Sequence, residues 1–436
     1  MKYLTEILDA AHNPDGMEEL YHKSIQANEE AEFRLDSQEV FEKDPENLLL
    51  SAWSSRFARS PLTKQKRTIN WLLAVVLGAI TGLILWVLSD PGFTLPDGMP
   101  YIVLLWAPIA AIPSIIFLAV VSKRNYLFAA ISSIGLIVAS VYVLLIYPGL
   151  FGIPAQQQYI TLMLFMLPLL CWIGLGIAVM GFRSPDKDRF AFLIKSIEVM
   201  ITAGVYLIFG IAFGAITIAM FEALNITLSD SLMRLILAGG FGLIPIMAVA
   251  TIYDPSVPPA EQDFTQGLSK FIYTMMRLLL PLCLLVLVIY ICVIPFNFMA
   301  PFENRNLLII YNIMQFAIIG LLIGATPFKV DDLTEKFQSW LRRGIIAVSI
   351  LALIISAYAL SAVTYRTIME GITLNRITII GWNIINLAIL YALLATQPRK
   401  YVSGWHERIH KVFSKATIPY FFWSIFLILI LPLLFM

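Results

Sequence analysis

The chain has 436 residues, 59% of them hydrophobic and only 14% charged, where soluble domains carry about 25% charged residues. Its formal net charge of +1 gives no reason to expect a nucleic-acid partner. This composition excludes an ordinary soluble enzyme and predicts an all-α, polytopic integral membrane helical bundle.

Residues 1–68 read as an acidic helical tail that stays in the cytosol. Residues 1–25 lack both an apolar core and a small-residue cleavage site, so a cleavable signal peptide is not expected. Leu4, Ile7, Leu8 and Ala11 recur at helical spacing, and Asn13-Pro14-Asp15-Gly16 should end that helix. A second helix is predicted from about Met17 through Phe33, with Leu20, Tyr21 and Ile25 on one face. Asp44-Pro45-Glu46 reads as a start signal for a helix over Asn47–Phe57 carrying Leu48, Leu49, Ala52 and Trp53. The Asp-Pro-x-Asn-Leu pattern resembles the opening of a helical-repeat unit. A single such unit cannot bury its own face, so docking on the membrane domain or on a cytoplasmic protein partner is expected.

Residues 69–436 form the membrane domain. Eleven spans are predicted, at roughly 69–89, 101–121, 126–147, 159–180, 191–221, 232–252, 270–297, 307–327, 343–363, 376–395 and 418–436. Pro108, Pro113 and Pro168 fall inside spans, where neighbouring helices can re-satisfy the freed carbonyls. The fifth and seventh spans are over-long and should tilt or begin as interfacial helices. Cys171, Cys283 and Cys292 all lie in apolar runs and read as small buried hydrophobes, with no disulfide framework or thiolate metal site.

Lys and Arg alternate between the connectors. One side receives Arg56, Arg59, Lys64, Lys66 and Arg67, then Lys123 and Arg124, then Arg183, Lys187 and Arg189. Lys329, Lys336, Arg342 and Arg343 fall on the same side, followed by Arg399, Lys400, Arg408, Lys411 and Lys415. The opposite connectors 90–100 and 148–158 have none, and only Arg305, Arg366 and Arg376 follow there, with Arg234 just inside the sixth span. Positive connectors stay in the cytosol, so the N-terminus is expected inside the cell's inner membrane and the C-terminus outside. Membrane lipids are the expected partners, with anionic headgroups meeting the basic segment ahead of the first span.

The connector after the ninth span reads Tyr365-Arg-Thr-Ile-Met-Glu-Gly-Ile-Thr-Leu-Asn-Arg376. Gly371 suits the left-handed end of a helix and Thr373 the N-cap of the tenth span. Arg366 and Arg376 can pair with Glu370 or hold a lipid phosphate. A capped interfacial turn with snorkelling arginines is the expectation, and an extracytoplasmic anion or lipid-headgroup site is the alternative. With the span from Lys270 to Pro295 (containing Pro281 and Tyr290) and the following spans ending at Arg342-Arg343, this signature resembles an uncharacterised bacterial membrane family, domain of unknown function "forty-one fifty-three". The family motif is close to Tyr-Gly-Leu-Thr-x-x-Arg, and Glu370 stands where it often has tyrosine. The resemblance covers roughly residues 190–396 and implies a polytopic inner-membrane fold with no established activity.

Three other polar groups interrupt the spans. Lys195 and Glu198 share a face of the fifth span, and Arg277 lies at similar depth in the seventh. An interfacial, snorkelled set is expected there, with a buried ion cluster as the alternative. Asn312 and Gln315 in the eighth span, and Asn383 and Asn386 in the tenth, are spaced to join helices by hydrogen bonds, a polar substrate path being the other reading. Gly210 and Gly214 make a small-residue packing face.

His406-Glu407-Arg408-Ile409-His410 matches the His-Glu-x-x-His pattern, which on a helix aligns two imidazoles with a carboxylate base. A third ligand is missing nearby, although Asp254, Glu261 or Asp331 lies on the same side. Arg408 and the flanking Lys400, Lys411 and Lys415 disfavour a dication. A cytoplasmic amphipathic helix placing Trp405, Ile409, Val412 and Phe413 toward the membrane is the expected reading, and no cofactor is expected.

The function expected from these features is a non-enzymatic transporter or a lipid- or partner-binding scaffold. Its candidate site residues are Lys195, Glu198, Arg277, Arg366, Glu370, Thr373 and Arg376. The alternative is a membrane zinc metallohydrolase using His406 and His410.

Overall fold

In lipid, an apolar run can satisfy its backbone only from within the segment or by closing a barrel. The computed structural model takes the first route at every apolar run. It describes residues 2–27, 29–59, 69–95, 98–146, 153–264, 267–330, 333–397 and 404–435. Among these, 11 helical stretches are long and apolar enough to cross a membrane, and the chain is a multi-pass all-α membrane protein. It divides into two units, Met1–Ile69 and Asn70–Met436. Lys64, Lys66, Arg67, Asp331, Arg399 and Lys400 lie outside the described residues.

The first unit holds α1 (Leu4–Asp9), α2 (Pro14–Gln26), α3 (Glu30–Lys43) and α4 (Leu48–Arg59). Asn13 opens α2 instead of closing α1: its side chain accepts from the Gly16 N–H, and Pro14 takes the first helical position, where no donor is needed. The predicted helix Met17–Phe33 is two helices, because the chain breaks between Gln26 and Glu30. The start signal also moves. Asn47, not Asp44, caps α4, accepting from the Leu49 and Leu50 N–H groups at 3.0 and 3.2 Å.

Four helices can do what one could not. Ile7, Met17, Tyr21, Phe33, Val40, Leu50 and Trp53 form a core inside this unit, so Trp53 is already covered, whereas Leu48 at the start of α4 stays exposed. Trp53 packs on Tyr21 at 5.2 Å and on Phe57 at 5.3 Å. The Arg56 guanidinium lies 4.4 Å over the Trp53 ring while pairing with Glu18 at 2.7 Å.

In the second unit, α5 (Trp71–Leu88), α6 (Tyr101–Ser122), α7 (Tyr126–Ile146) and α8 (Ile153–Met180) precede the long α9 (Asp186–Ala223). The sixth span is broken into α10 (Asp230–Arg234), a π turn over Leu235–Gly239, and α11 (Ile244–Ile252). Then follow α12 (Gly267–Val293), α13 (Ala300–Glu303), α14 (Arg305–Ala325), α15 (Glu335–Glu370), α16 (Leu374–Thr396) and α17 (Trp405–Ile425). At 38 residues, α9 runs about 57 Å, nearly twice the hydrocarbon thickness. Its first turn, Asp186-Lys187-Asp188-Arg189, is polar enough to sit at an interface.

Helices α6, α7 and α8 pack as one group, and α15 lies along α16 with α12 and α14 against it. The larger core joins α9, α12 and α14–α17, with Ile345, Ile355, Leu322, Leu393 and Phe413 fully covered. By contrast Ile208, Phe209, Phe213 and Leu282 point outward, the surface expected against lipid tails. Gly210 and Gly214 of α9 face Ile244 and Leu237 of the sixth span, a packing device.

The eleventh span differs most from expectation. It begins at Trp405, as α17, and continues through a π turn over Phe426–Ile430 into a 3₁₀ end, Leu431–Phe435. Pro432 has no N–H for the carbonyl of Ile428 four residues back. That carbonyl accepts from the Tyr159 hydroxyl at 2.9 Å, and the neighbouring Leu429 carbonyl from Tyr142 at 2.6 Å. Helices α7 and α8 thereby supply donors to two backbone carbonyls of the π turn that follows α17.

Candidate functional site

Helix α15 ends where Gly371 adopts φ 87°, a conformation that L-residues resist. Thr373 then caps α16, its hydroxyl accepting from the Arg376 N–H at 3.3 Å. The turn folds both arginines inward: only 12% of the Arg366 side chain and 16% of the Arg376 side chain is exposed. They are therefore not snorkelling. Arg366 reaches the Glu370 carboxylate at 3.2 Å, and Arg376 also bonds it through Nη2. The second terminal nitrogen of Arg376 donates to the Gly371 carbonyl at 2.6 Å, closing the carbonyl end of α15.

Arg376 is thus committed to the turn, and Arg366 is not. Its Nε and Nη1 are buried with no hydrogen-bond partner. The Arg366 side chain forms part of the wall of a cavity of about 120 Å³, lined also by Gln158, Leu308, Thr373, Asn375 and Arg376 among others. Four helices, α8, α14, α15 and α16, contribute to its wall. No protein hydrogen bond to the side-chain amides of Gln158 and Asn375 is present among the described residues. The first turn of α16, whose N–H groups have no intrahelical acceptor, forms part of the wall. Two guanidiniums against one carboxylate, unused donors and a helix N-terminus make a cavity suited to a small oxyanion.

One turn deeper, a polar ladder runs from α14 through α16 to α17. The Asn383 amide donates to Asn312 at 2.9 Å and accepts from Gln315 at 2.6 Å. Gln315 in turn accepts from Asn386 at 3.3 Å, and Asn386 accepts from the Tyr420 hydroxyl at 2.6 Å. Each member satisfies its neighbour, so the ladder joins helices as expected. Leu308 and Ile379, which line the cavity, stand one turn above Asn312 and Asn383.

The structure separates the third candidate group. Lys195 and Glu198 are buried at 3% and 1% exposure, so they do not snorkel. The Lys195 ammonium donates to Glu198 at 2.7 Å, to the Asp263 carbonyl at 2.5 Å and to the Ser269 hydroxyl at 3.1 Å, which uses all three of its donors. Ser269 closes the triangle by donating to Glu198 at 2.7 Å, and the ammonium lies 4.7 Å over the Phe264 ring. Arg277 forms no ion pair with Glu198. Its guanidinium sits 5.7 Å over the Tyr273 ring, because equal depth in two helices does not place side chains on facing sides. The pair is a clasp between α9, the segment before α12, and α12 itself.

The His406-Glu407-x-x-His410 segment is not a surface helix. His406 and His410 are buried in the first turns of α17, with Phe190 stacked 3.8 Å from His410 and Phe328 at 5.8 Å. The two imidazole centroids are 5.3 Å apart. His410 Nε2 lies 2.9 Å from the Pro327 carbonyl and so carries its proton, which blocks that nitrogen as a ligand. No group of three His, Cys, Asp or Glu able to hold a metal occurs among the described residues. Cys171 is buried, whereas Cys283 is only partly covered and Cys292 is exposed.

No family model, curated protein or solved structure matches the chain. The reading of the cavity therefore rests on its own residues. Sequence reasoning found Arg366, Glu370, Thr373 and Arg376 but missed Gln158 and Asn375. The Gln156-Gln157-Gln158 run at the start of the fourth span was the available signal for one of them. Nothing in the sequence marks Ser269 as the third member of the clasp.

Proposed function

We propose that this is a non-enzymatic membrane protein that binds a phosphate-type anion, free or as a lipid headgroup, in the cavity walled by Arg366. The observation that carries the reading is the Arg366 guanidinium, with two buried N–H groups lacking acceptors, in the wall of a cavity where Gln158, Thr373, Asn375 and Arg376 stand among Leu308, Val363 and Ile379. Leaving such donors unmatched costs about 1–3 kcal/mol or more for a charged group, and an anion would recover that. Glu370 competes for the same cation, since its carboxylate already engages Arg366 and Arg376.

Arg366→Gln in the purified protein should weaken binding of inorganic phosphate or a soluble phosphoglycerol about ten- to a hundredfold, as loss of a charge-assisted hydrogen bond predicts. Glu370→Gln should tighten it. Calorimetry reads both, and unchanged affinity in Arg366→Gln would sink the site. Binding of the phosphoglycerol alone would favour a lipid headgroup over a free ion. A second reading, transport, draws on the ladder from Asn312 to Tyr420 directly beneath the cavity. It predicts phosphate uptake into proteoliposomes, which a lipid-binding scaffold would not give.

The charge alternation supports a cytosolic N-terminus and an extracytoplasmic C-terminus in a bacterial inner membrane. In that orientation the Arg366 cavity opens to the outside. A cysteine at Ile372, introduced after replacing the native cysteines by serine, should react with a membrane-impermeant maleimide in intact cells. Labelling only after lysis would reverse the orientation.

A further inference from the structure

A second crevice, of about 300 Å³, opens between α8, the start of α9, and α17. Its walls are apolar, built from Phe192, Ile418 and Phe422 among others, and its rim carries Arg189 and Ser184. The Arg189 Nε donates to the Ser184 hydroxyl at 3.0 Å, and its terminal nitrogens make no protein hydrogen bond among the described residues. Deeper in the wall, the Trp172 ring stacks on Phe192 at 6.1 Å. The Trp172 Nε1 is buried with no acceptor. Phe192 follows Arg189 by three residues, so the ring that stacks on Trp172 leaves α9 about 4.5 Å further along the helix than Arg189 does.

Read from the rim inward, the crevice offers a cation, then an unused N–H donor, then hydrocarbon. A glycerophospholipid has the matching order: phosphate, ester carbonyl, acyl chain. A free phosphate would leave the apolar depth unfilled. Asp186 lies between Arg183 and Arg189 in the rim segment, and the Lys187 ammonium sits 5.9 Å over the Phe328 ring, so Arg189 is the cation that selects an anionic headgroup. The nearby Asp188 carboxylate is occupied, accepting from the Ala260 N–H at 2.9 Å.

We infer that this crevice holds one anionic glycerophospholipid, its phosphate on Arg189 and Ser184 and an ester carbonyl on the Trp172 N–H. The site is independent of the Arg366 cavity and lies toward the other end of the bundle. It also gives the buried indole nitrogen an acceptor, which a purely solvating lipid tail could not supply.

The test uses the full chain in phosphatidylcholine nanodiscs doped with phosphatidylglycerol, with retained lipid counted by native mass spectrometry. The parent should keep phosphatidylglycerol in preference to phosphatidylcholine. Trp172→Phe, which removes the N–H and keeps an aromatic ring, should lower retention about two- to tenfold. Arg189→Gln should lower it about tenfold or more. Equal retention in the parent and in Trp172→Phe would overturn the inference, even if Arg189→Gln folds poorly. So would equal retention of the two lipids, or a loss of retention produced by Arg366→Gln alone.

Discussion

Replacing Lys195 by Met should destabilise the membrane domain by about 3–5 kcal/mol, the cost of stranding a buried charge. Glu198 is 1% exposed, and without the ammonium it faces only Ser269 as a donor. The Asp263 carbonyl loses its 2.5 Å partner in the same step, so the segment before α12 should loosen from α9. The double variant Lys195→Met, Glu198→Met removes both charges and should regain most of the loss, since apolar replacement of a whole buried pair is often nearly neutral. Denaturant unfolding in micelles measures both. A single variant within about 1 kcal/mol of the parent would show that water reaches this pair.

Gly82→Ala should be nearly as damaging. A Cβ on Gly82 would overlap the Gly239 carbonyl oxygen in the π turn of the sixth span, and a Cβ on Gly242 would overlap the Gly82 backbone. Both obstacles are main chain, so neither can turn aside, and a penalty of about 3 kcal/mol is expected, the upper end for overpacking. The π turn, which bulges the sixth span, is what lets the two backbones meet. Gly135→Ala makes the control, because nothing lies within 4 Å of its added Cβ. There the change should stabilise by up to about 1 kcal/mol through helix propensity. Thermal unfolding that ranks the two variants the other way would refute the close approach.

The spans were legible because lipid leaves the chain so little choice. An apolar run such as Trp71–Leu88 has to be helical, and its length is set by the bilayer. What depends on rotation about a helix axis was not legible. Arg277 and Glu198 share a depth but not a facing side, and only the fold shows that Ser269 takes the place assigned to Arg277. The eleventh span was misjudged for a related reason. Its first turns, Trp405 to His410, look amphipathic alone, yet Phe190 and Phe328 from distant parts of the chain cover the histidines. At the cavity, the arginines and the turn chemistry were readable from Gly371 and Thr373, whereas Gln158 enters from a helix more than 200 residues earlier in the chain.

The tyrosine bonds to the π turn after α17 bear on the order of assembly. Tyr159 and Tyr142 are inserted long before their respective acceptors Ile428 and Leu429 are synthesised, 269 and 287 residues later. Until then both hydroxyls wait in a nonpolar surrounding without their final acceptors, and α7 and α8 cannot settle completely. A ribosome stalled before residue 428 would therefore leave an early hairpin ready but unfinished, a natural target for membrane quality control.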